Sequence, residues 1–348
     1  MNKTKICIYG AGSIGAYLAH AFHKSGSDVK LIARGKHLEA IQLKGLTFIK
    51  DGLKETIQFD ASNDPNDFGK QDFIIITLKA HSVPLIVENF SPLLGDNTAI
   101  VSAVNGLPWW YFYKTNLGPN IDNKWIETVD PKGKQWKYFK PERAIGCVVY
   151  PSCEIVEPGL VKHLDGNRFS LGEPNSETSD RIKKLSKLLI SGGIRAPIKS
   201  RLRDEIWIKM LGNCSFNIIS SLTGASLDQI GTNPSCRTLV RDMMLECREV
   251  GLSVGAKFNI SIEKRIDAAA AVIGHKPSTR QDIENNRTLE LDPIISSILE
   301  LARKFKINTP NLDKLGGLIR MKGELLGLYE RKKNIEEIIS KEYTPSDI

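Results

Sequence analysis

A glycine-rich hexapeptide near the start of the chain has the spacing of a phosphate-binding loop. It reads Gly10-Ala11-Gly12-Ser13-Ile14-Gly15 and stands between an apolar strand pattern and a helical pattern. In such a loop Gly10 permits a tight turn, Gly12 lets a pyrophosphate approach the backbone, and Gly15 allows close helix packing. The N-terminus of the helix adds unpaired N–H groups and a positive dipole. Because the strand, loop and helix context is complete, we interpret the hexapeptide as a dinucleotide-binding loop rather than a simple glycine turn.

The residue that follows the second predicted strand distinguishes between the two nicotinamide cofactors. An Asp or Glu there would accept a hydrogen bond from the ribose 2′-hydroxyl of NAD. This chain has Arg34 instead, with Lys36 two residues later. A guanidinium can donate several hydrogen bonds to a 2′-phosphate, whereas NAD offers it no anion at that point. The sequence therefore predicts NADP(H) as the cofactor; the alternative interpretation is a solvated surface arginine.

A second group of polar residues interrupts an apolar helical pattern in the second half of the chain. Lys209, Asn213 and Asn217 are four residues apart, so successive side chains are displaced by only about 40° around a helix axis. Most of the neighbouring residues are apolar, which predicts a buried helix. One lysine and two amides on such a helix need polar partners or a wet cleft. The alternative is a lysine that reaches solvent, with asparagines that cap neighbouring groups.

The elements that must position these residues differ between the two halves. Apolar runs at residues 5–9, 29–33, 73–78 and 98–102 alternate with helical patterns, which is typical of a doubly wound α/β sheet. The first crossover helix is predicted at residues 14–24. Further strands are predicted at residues 144–150, 153–157, 160–163 and 168–171, separated by glycine turns. They predict an antiparallel extension of the first domain.

From about residue 201 onward the chain has helical periodicity and no convincing strand. We therefore predict an α/β protein with a Rossmann-type NADP-binding domain over residues 1–200. An all-helical substrate and catalytic domain is predicted over residues 201–348. Residues 117–141 are polar and turn-rich, and we interpret them as an insertion that is either a lid or a surface excursion without function.

Composition and charge restrict the class of protein. The 348 residues include 48 Lys or Arg and 40 Asp or Glu, which gives a net charge of +8, but both signs are interspersed. We therefore expect no nucleic-acid partner. The six cysteines form no CxxC pair and no metal-ligand spacing with His, so no metal site is predicted. No secretory signal or bilayer-spanning run is visible, and we expect a cytoplasmic protein without membrane contact.

Several motifs together resemble the ketopantoate reductases over nearly the whole chain. In the first half these are the glycine loop, Arg34, the Thr77-Leu78-Lys79-Ala80 run and Asn105-Gly106. In the second half the run from Trp207 to Asn217 is similar to the family pattern W-x-K-x-x-x-N-x-x-x-N. Ser278 and Glu290 keep the spacing of the family's serine and glutamate.

The resemblance implies NADPH-dependent reduction of 2-dehydropantoate to pantoate, a step of pantothenate and coenzyme A biosynthesis. It implies that Lys209 is the general acid, because hydride transfer to a ketone carbon builds negative charge on its oxygen. Glu290 is the second implied catalytic residue. The implied substrate contacts are Asn105, Asn213, Asn217 and Ser278. The implied cofactor contacts are Gly10, Ala11, Gly12, Ser13, Ile14, Gly15, Arg34, Lys79 and Asn105.

Three departures from the family pattern concern the substrate side. Trp109-Trp110-Tyr111-Phe112 follows Asn105-Gly106, and such aromatics could narrow or line a pocket. His275 stands where the reductases tend to have an asparagine, although a structural histidine is the simpler interpretation. Pro293 follows Glu290 closely, which predicts that Glu290 precedes a helix rather than lying on it.

Alternatives to reduction of 2-dehydropantoate remain open at this stage. One is an NADPH-dependent reductase of the same architecture that acts on another small 2-oxo acid. A second is a non-catalytic NADP(H)-sensing protein, and a third, which we do not expect, is a nucleic-acid binder. A homodimer built from the helical domains is compatible with the sequence.

Overall fold

The computed structural model describes residues 3–340, and the chain divides into two compact units. The first unit contains the chain up to Thr115 together with Lys134–Leu202, and the second contains Asn116–Gly133 together with the chain from Arg203 onward. The sequence analysis assigned all of residues 1–200 to the first domain. The structure differs in that residues 116–133, which include most of the predicted insertion, belong to the second unit.

All strands of the described residues lie in the first unit. They are β1 (Lys5–Tyr9), β2 (Asp28–Ile32), β3 (Leu46–Lys50), β4 (Leu53–Ile57), β5 (Asp60–Ser62), β6 (Phe73–Ile76), β7 (Ala99–Ser102), β8 (Ala144–Val149), β9 (Ser152–Glu157), β10 (Leu160–Asp165) and β11 (Phe169–Gly172). The α-helices of this unit are α1 (Ser13–Lys24), α2 (Gly35–Lys44), α3 (Lys134–Phe139) and α4 (Asp180–Ser191). Short 3-10 helices occur at Pro65–Asp67, Ala80–Leu85, Val87–Leu93 and Pro141–Arg143.

Seven strands form the main sheet in the order β11-β8-β7-β6-β1-β2-β5. Strands β8, β7, β6, β1, β2 and β5 are mutually parallel, and only β11 is antiparallel, at the β8 edge. All residues of β6 and β7 are buried, as expected for strands covered on both faces. The predicted α/β fold class and the first β1-α1-β2 unit are confirmed.

A second sheet has the strand order β4-β3-β10-β9. Two of its strands, β3 and β4, were not predicted from the sequence. β3 and β4 form a hairpin through Asp51 and Gly52, whose φ angles are +51° and +78°. An Asp-Gly pair is a strong hairpin signal, because both turn positions need positive φ. The four strands predicted as one antiparallel extension are therefore divided between the two sheets. β8 and β11 extend the main sheet, whereas the β9-β10 hairpin belongs to the second sheet.

Aromatic side chains near the carboxyl end of β1 form part of the core. The ring of Tyr9 stacks on Phe90 with a centroid distance of 4.0 Å, and Phe139 contacts both Phe90 and Trp109 edge-on. The indole of Trp109 donates a hydrogen bond to Ser102 Oγ at 3.1 Å. The four consecutive aromatic residues 109–112 are at most 3% exposed. Their burial makes them core residues, which replaces the interpretation that they line a pocket.

The described residues of the second unit contain helices and no strand, as predicted for the C-terminal region. Its α-helices are α5 (Leu202–Cys214), which begins at the last residue of the first unit, α6 (Phe216–Thr223), α7 (Leu227–Thr232), α8 (Pro234–Ser253), α9 (Ile262–Ala270), α10 (Ser278–Glu284), α11 (Ser297–Lys304), α12 (Pro310–Leu325) and α13 (Lys333–Ile339). A 3-10 turn lies at Pro131–Gly133 and a π-helix at Asp292–Ser296.

The segment 116–133 is anchored to α11 by one carboxylate. Glu300 accepts hydrogen bonds from the backbone N–H groups of Glu127 and Thr128 at 2.9 and 2.8 Å, and from the Thr128 hydroxyl at 2.7 Å. Burial raises the pKa of the Glu300 carboxyl, while these bonds oppose the rise. Within the segment, Trp125 donates to Glu127 at 2.8 Å. Polar groups of the predicted insertion therefore take part in hydrogen bonds that hold it to the helical unit.

No helix within residues 3–340 is both long and apolar enough to cross a bilayer. In the same residues, no group of three or more His, Cys, Asp or Glu side chains is arranged to hold a metal ion.

Candidate functional site

The glycine loop is held between the ends of two strands by its backbone. Gly10 and Ala11 each donate a backbone hydrogen bond to the Ile32 carbonyl at 3.0 Å. Gly10 has φ +110°, and a Cβ there would lie 3.1 Å from the backbone nitrogen of Leu78. Both the positive φ and the crowding select glycine. The loop therefore makes the tight turn that the sequence predicted at its first glycine.

The start of α1 packs against the strand ends at Gly15. A Cβ on Gly15 would lie 2.2 Å from the Gly10 carbonyl oxygen and 2.8 Å from Thr77 Oγ1. The Thr77 hydroxyl donates to that same carbonyl at 2.5 Å. No side chain fits at Gly15 without movement of the backbone. Thr77 is thus part of the loop's support, a role that the sequence analysis did not assign to it.

The middle glycine, in contrast, faces open space. No atom lies within 4 Å of a Cβ built on Gly12, which is the N-cap residue of α1. The first turn of α1 carries no acidic side chain, and Ser13 and Ile14 are partly exposed. An open position at the positive end of a twelve-residue helix suits an anionic group such as a pyrophosphate. The loop therefore fits a dinucleotide on local geometry.

The other predicted cofactor residues follow strands of the same sheet. Arg34 is exposed and caps α2 just beyond β2, whereas Lys79 is half-buried and begins the 3-10 helix after β6. Asn105 is half-buried beyond β7, beside Gly106 with φ +88°. Because β7, β6, β1 and β2 are adjacent and parallel, these residues and the glycine loop share one carboxyl edge.

In the second unit, the helix predicted to carry the polar stripe is broken in two. α5 ends at Cys214, and Ser215 (φ −113°, ψ −79°) separates it from α6. The Ser215 hydroxyl donates to the Leu211 carbonyl at 2.6 Å. Despite the break, Asn217 Nδ2 donates to Asn213 Oδ1 at 3.3 Å. The two amides therefore remain neighbours, but the single continuous helix that the sequence predicted is wrong.

Lys209 lies one helical turn before Asn213 and is half-buried, whereas Asn217 is 8% exposed. Ser278 is exposed and begins α10, which packs against α6. The carboxyl end of α6 is held by Lys322, whose ammonium donates to the Ser221 and Leu222 carbonyls at 2.6 and 3.2 Å. The predicted substrate residues of α6 and α10 therefore lie on helices that pack together.

Glu290 precedes a helix, as Pro293 predicted. It is 7% exposed, and helical backbone begins at the next residue, Leu291. The π-helix Asp292–Ser296 contains the proline. Asp292 is buried and accepts hydrogen bonds from the Tyr329 hydroxyl at 2.8 Å and the Lys332 ammonium at 2.9 Å. These bonds fix the backbone just after Glu290.

The segment around His275 docks on α7 through its backbone. The His275 carbonyl accepts from Leu227 N at 3.2 Å, and Gly274 N donates to the Asp228 carboxylate at 2.8 Å. The backbone at this position thus has a structural role.

Comparison with known proteins decides the family. Residues 6–109 match the model described as "Ketopantoate reductase PanE/ApbA", and residues 201–323 match its C-terminal counterpart. The chain belongs to the ketopantoate reductase family. It is 42% identical to a 2-dehydropantoate 2-reductase of Mesorhizobium japonicum over 326 residues, which cover 93% of this chain and 99% of the relative. This family member is therefore an oxidoreductase, and its family is dinucleotide-dependent, which argues against a non-catalytic sensor.

Solved structures agree with this assignment. A structure from Ralstonia solanacearum MolK2, assigned as a ketopantoate reductase, has 33% identity and a TM-score of 0.89, covering 94% of this chain and 100% of that chain. A structure of D-mandelate dehydrogenase with NADH and anilino(oxo)acetate has 21% identity and a TM-score of 0.80. The similarity covers 93% of this chain and 100% of that chain. At that identity the second similarity shows a shared fold only.

The different surroundings of Gly12 and Gly15 predict different defects in this reductase family member. A side chain at Gly12 meets no neighbour in the free protein, so for Gly12→Ala we expect an almost unchanged free energy of unfolding and at least about tenfold weaker dinucleotide binding. Gly15→Ala must displace the Gly10 carbonyl, so we expect a loss of about 1–3 kcal/mol in the free energy of unfolding. Urea denaturation and fluorescence titration with NADPH measure the two effects.

The control is Gly317→Ala, because Gly317 lies within α12 and a Cβ there also meets open space. This variant should keep native dinucleotide affinity and equal or slightly higher stability. Native affinity in Gly12→Ala would contradict the assignment of the pyrophosphate to this loop.

Proposed function

We propose that the protein reduces 2-dehydropantoate to pantoate with NADPH, as a step of pantothenate and coenzyme A biosynthesis, and that Lys209 is the general acid. The observation that carries the proposal is the 42% identity to a 2-dehydropantoate 2-reductase over almost the full length of both chains. The polar stripe of Lys209, Asn213 and Asn217 supports it, because its two amides stay in contact although the helix breaks between them.

The dinucleotide would be held by the carboxyl edge of the main sheet. Gly10, Ala11, Gly12, Ser13, Ile14 and Gly15 would bind the pyrophosphate at the start of α1. The exposed Arg34 would pair with the ribose 2′-phosphate, with Lys36 adding charge. Lys79 and Asn105 would orient the nicotinamide end, since both follow central strands. When bound, the nicotinamide supplies the hydride.

The helical unit would hold the substrate and supply the proton. Lys209 would stabilise the developing negative charge on the ketone oxygen and then protonate it. Asn213, Asn217 and Ser278 would bind substrate oxygens as neutral partners, and Asn105 is a further proposed substrate contact. Glu290 would accept a hydrogen bond from a substrate hydroxyl, with its backbone held by the Asp292 contacts. The half-buried position of Lys209 suits an acid that is partly shielded from water.

A substrate panel tests the proposed reaction directly. Initial rates with 2-dehydropantoate, pyruvate, 2-oxoisovalerate and an aryl 2-oxo acid should be measured with both NADPH and NADH. We expect the highest kcat/KM for 2-dehydropantoate with NADPH. The D-mandelate dehydrogenase with the same fold motivates the aryl compound as the second candidate. A far higher kcat/KM for any other 2-oxo acid would replace 2-dehydropantoate as the substrate.

Removing the charge of Arg34 should affect one cofactor selectively. For Arg34→Gln we expect NADPH affinity to fall about 10- to 100-fold, because charge-assisted hydrogen bonds to the 2′-phosphate are lost, while NADH affinity stays the same. Lys44→Gln, an equal loss of charge at the other end of α2, is the matched control and should leave both affinities unchanged. Equal losses for NADPH and NADH would refute the role of Arg34.

Neutralising Lys209 should affect the chemical step. For Lys209→Gln we expect kcat to fall about 10²- to 10⁴-fold with unchanged NADPH affinity, because the general acid is lost while the dinucleotide residues stay intact. Lys264→Gln, at an exposed position on α9, is the control and should keep native kcat. Single-turnover rates and circular dichroism separate lost chemistry from lost folding. Native turnover in Lys209→Gln would mean that another group is the acid.

A further inference from the structure

His37 connects the glycine loop to the second sheet. It lies in the first turn of α2 and is half-buried. Its Nε2 is 2.7 Å from the carbonyl oxygen of Ala11, and its Nδ1 is 3.1 Å from the backbone nitrogen of Gly159. Gly159 lies in the turn between β9 and β10. One imidazole therefore joins three segments that are far apart in the sequence.

The two backbone partners determine the protonation state that this bridge requires. The Gly159 N–H can only donate, so Nδ1 must be an unprotonated acceptor. The Ala11 carbonyl can only accept, so Nε2 must carry the proton. Both hydrogen bonds exist together only in the neutral Nε2–H tautomer of His37.

We propose that His37 is a positioning residue for the dinucleotide: its neutral imidazole fixes the orientation of the Ala11–Gly12 peptide in the glycine loop. This role rests on the proposed binding of the dinucleotide at that loop. The Ala11 carbonyl and the Gly12 N–H belong to one planar peptide group, and that N–H donates to the Gly10 carbonyl at 2.8 Å, so His37 holds the carbonyl side of a peptide whose other side is held within the loop. Gly12 is the residue with open space in front of it.

The other end of the bridge is rigid. The Gly159 carbonyl accepts a hydrogen bond from Thr47 N of β3 at 2.8 Å. Gly159 has φ +79°, and a Cβ there would lie 3.0 Å from the Cβ of Ala40 in α2. The turn is thus held by both the second sheet and α2. Through His37, the second sheet acts as a support for the cofactor loop.

Protonation of His37 would break the bridge. Burial lowers the pKa of His37 from its usual 6.5, and the bond to Ala11 opposes this effect in part. Arg34 and Lys36 on α2 and Glu157 beside the turn are the nearby charged residues in sequence, and none is among the causes of the shift. The imidazole is therefore neutral at pH 7. As the pH falls through the lowered pKa, Nδ1 gains a proton that faces the Gly159 N–H, and the contact is lost.

Three variants separate the two contacts. In His37→Gln, an amide N–H can reach the position of Nε2 and donate to Ala11, but nothing titrates. In His37→Asn, the shorter amide can reach Gly159 but not Ala11, and His37→Ala removes both contacts. The exposed His23 of α1 is the matched control, as His23→Gln.

The first measurement is NADP⁺ binding by titration, together with steady-state kinetics at about pH 7.5. We expect His37→Asn and His37→Ala to raise Kd for NADP⁺ and KM for NADPH about tenfold, with kcat at saturating NADPH unchanged. His23→Gln should bind within about twofold of the native protein, whereas His37→Gln, which keeps only the Ala11 contact, should raise Kd about threefold and so lie between the native protein and His37→Asn. Native affinity in His37→Asn, or a fall in kcat without a change in KM, would overturn the role.

The second measurement is the pH profile of binding, which a purely structural residue would not alter. The 2′-phosphate of NADP⁺ titrates in the same range, so the informative quantity is the ratio of native Kd to that of His37→Gln at each pH. We expect this ratio to rise towards one as the pH falls from about 7.5 through the pKa of His37, which ¹⁵N NMR of the same protein locates, because protonated His37 and His37→Gln both keep only the Ala11 contact. A constant ratio would overturn the proposal.

A cofactor-free measurement keeps this proposal distinct from the proposed function. Imidazole ¹⁵N NMR of the free protein should show His37 as the neutral Nε2–H tautomer at about pH 7.5. The Nδ1–H tautomer would overturn the bridge itself. If the native protein bound neither NADP⁺ nor NAD⁺ while the Nε2–H tautomer was present, the proposed function would fail and the bridge would remain without its positioning role.

Discussion

The close approach of α1 to the strand ends at Gly15 is the constraint on which the rest of the first unit depends. A side chain there would collide with the Gly10 carbonyl, so the first turn of α1 can lie directly beside β1 only because Gly15 has none. This places the positive end of α1 at the carboxyl edge of the sheet. Residues that follow the neighbouring parallel strands lie at the same edge, because parallel strands all end on one side of the sheet.

The helical unit is held together in a different way. Long polar side chains form hydrogen bonds with backbone groups that are distant in sequence. The Glu246 carboxylate of α8 accepts from the backbone N–H groups of Asn311 and Leu312, at the start of α12. Glu300 likewise accepts hydrogen bonds from the backbone N–H groups of residues 127 and 128, and Lys322 donates to carbonyls at the end of α6. Charged groups that are buried are costly unless they are fully hydrogen-bonded, and here each has several partners. The same contacts connect otherwise separate helices.

Sequence and structure agree best where a local signal is strong. β1 lies where its apolar run indicated, because parallel strands covered on both faces need continuous apolar residues. The β3-β4 hairpin was missed although Asp51-Gly52 marks it, since β4 is largely exposed and lacks an apolar run. The break at Ser215 has no such signal. The spacing of Lys209, Asn213 and Asn217 is the same whether one helix or two carry it.

The sequence by itself determined the fold class, the glycine loop, the all-helical second half and the family. These depend on periodicity and on short motifs, which are local properties of the chain. Only the tertiary structure decided that residues 109–112 are core, that residues 116–133 belong with the helices, and that His37 bridges to a glycine 122 positions away. Such contacts depend on which surfaces meet after the chain has folded, and no local pattern encodes them.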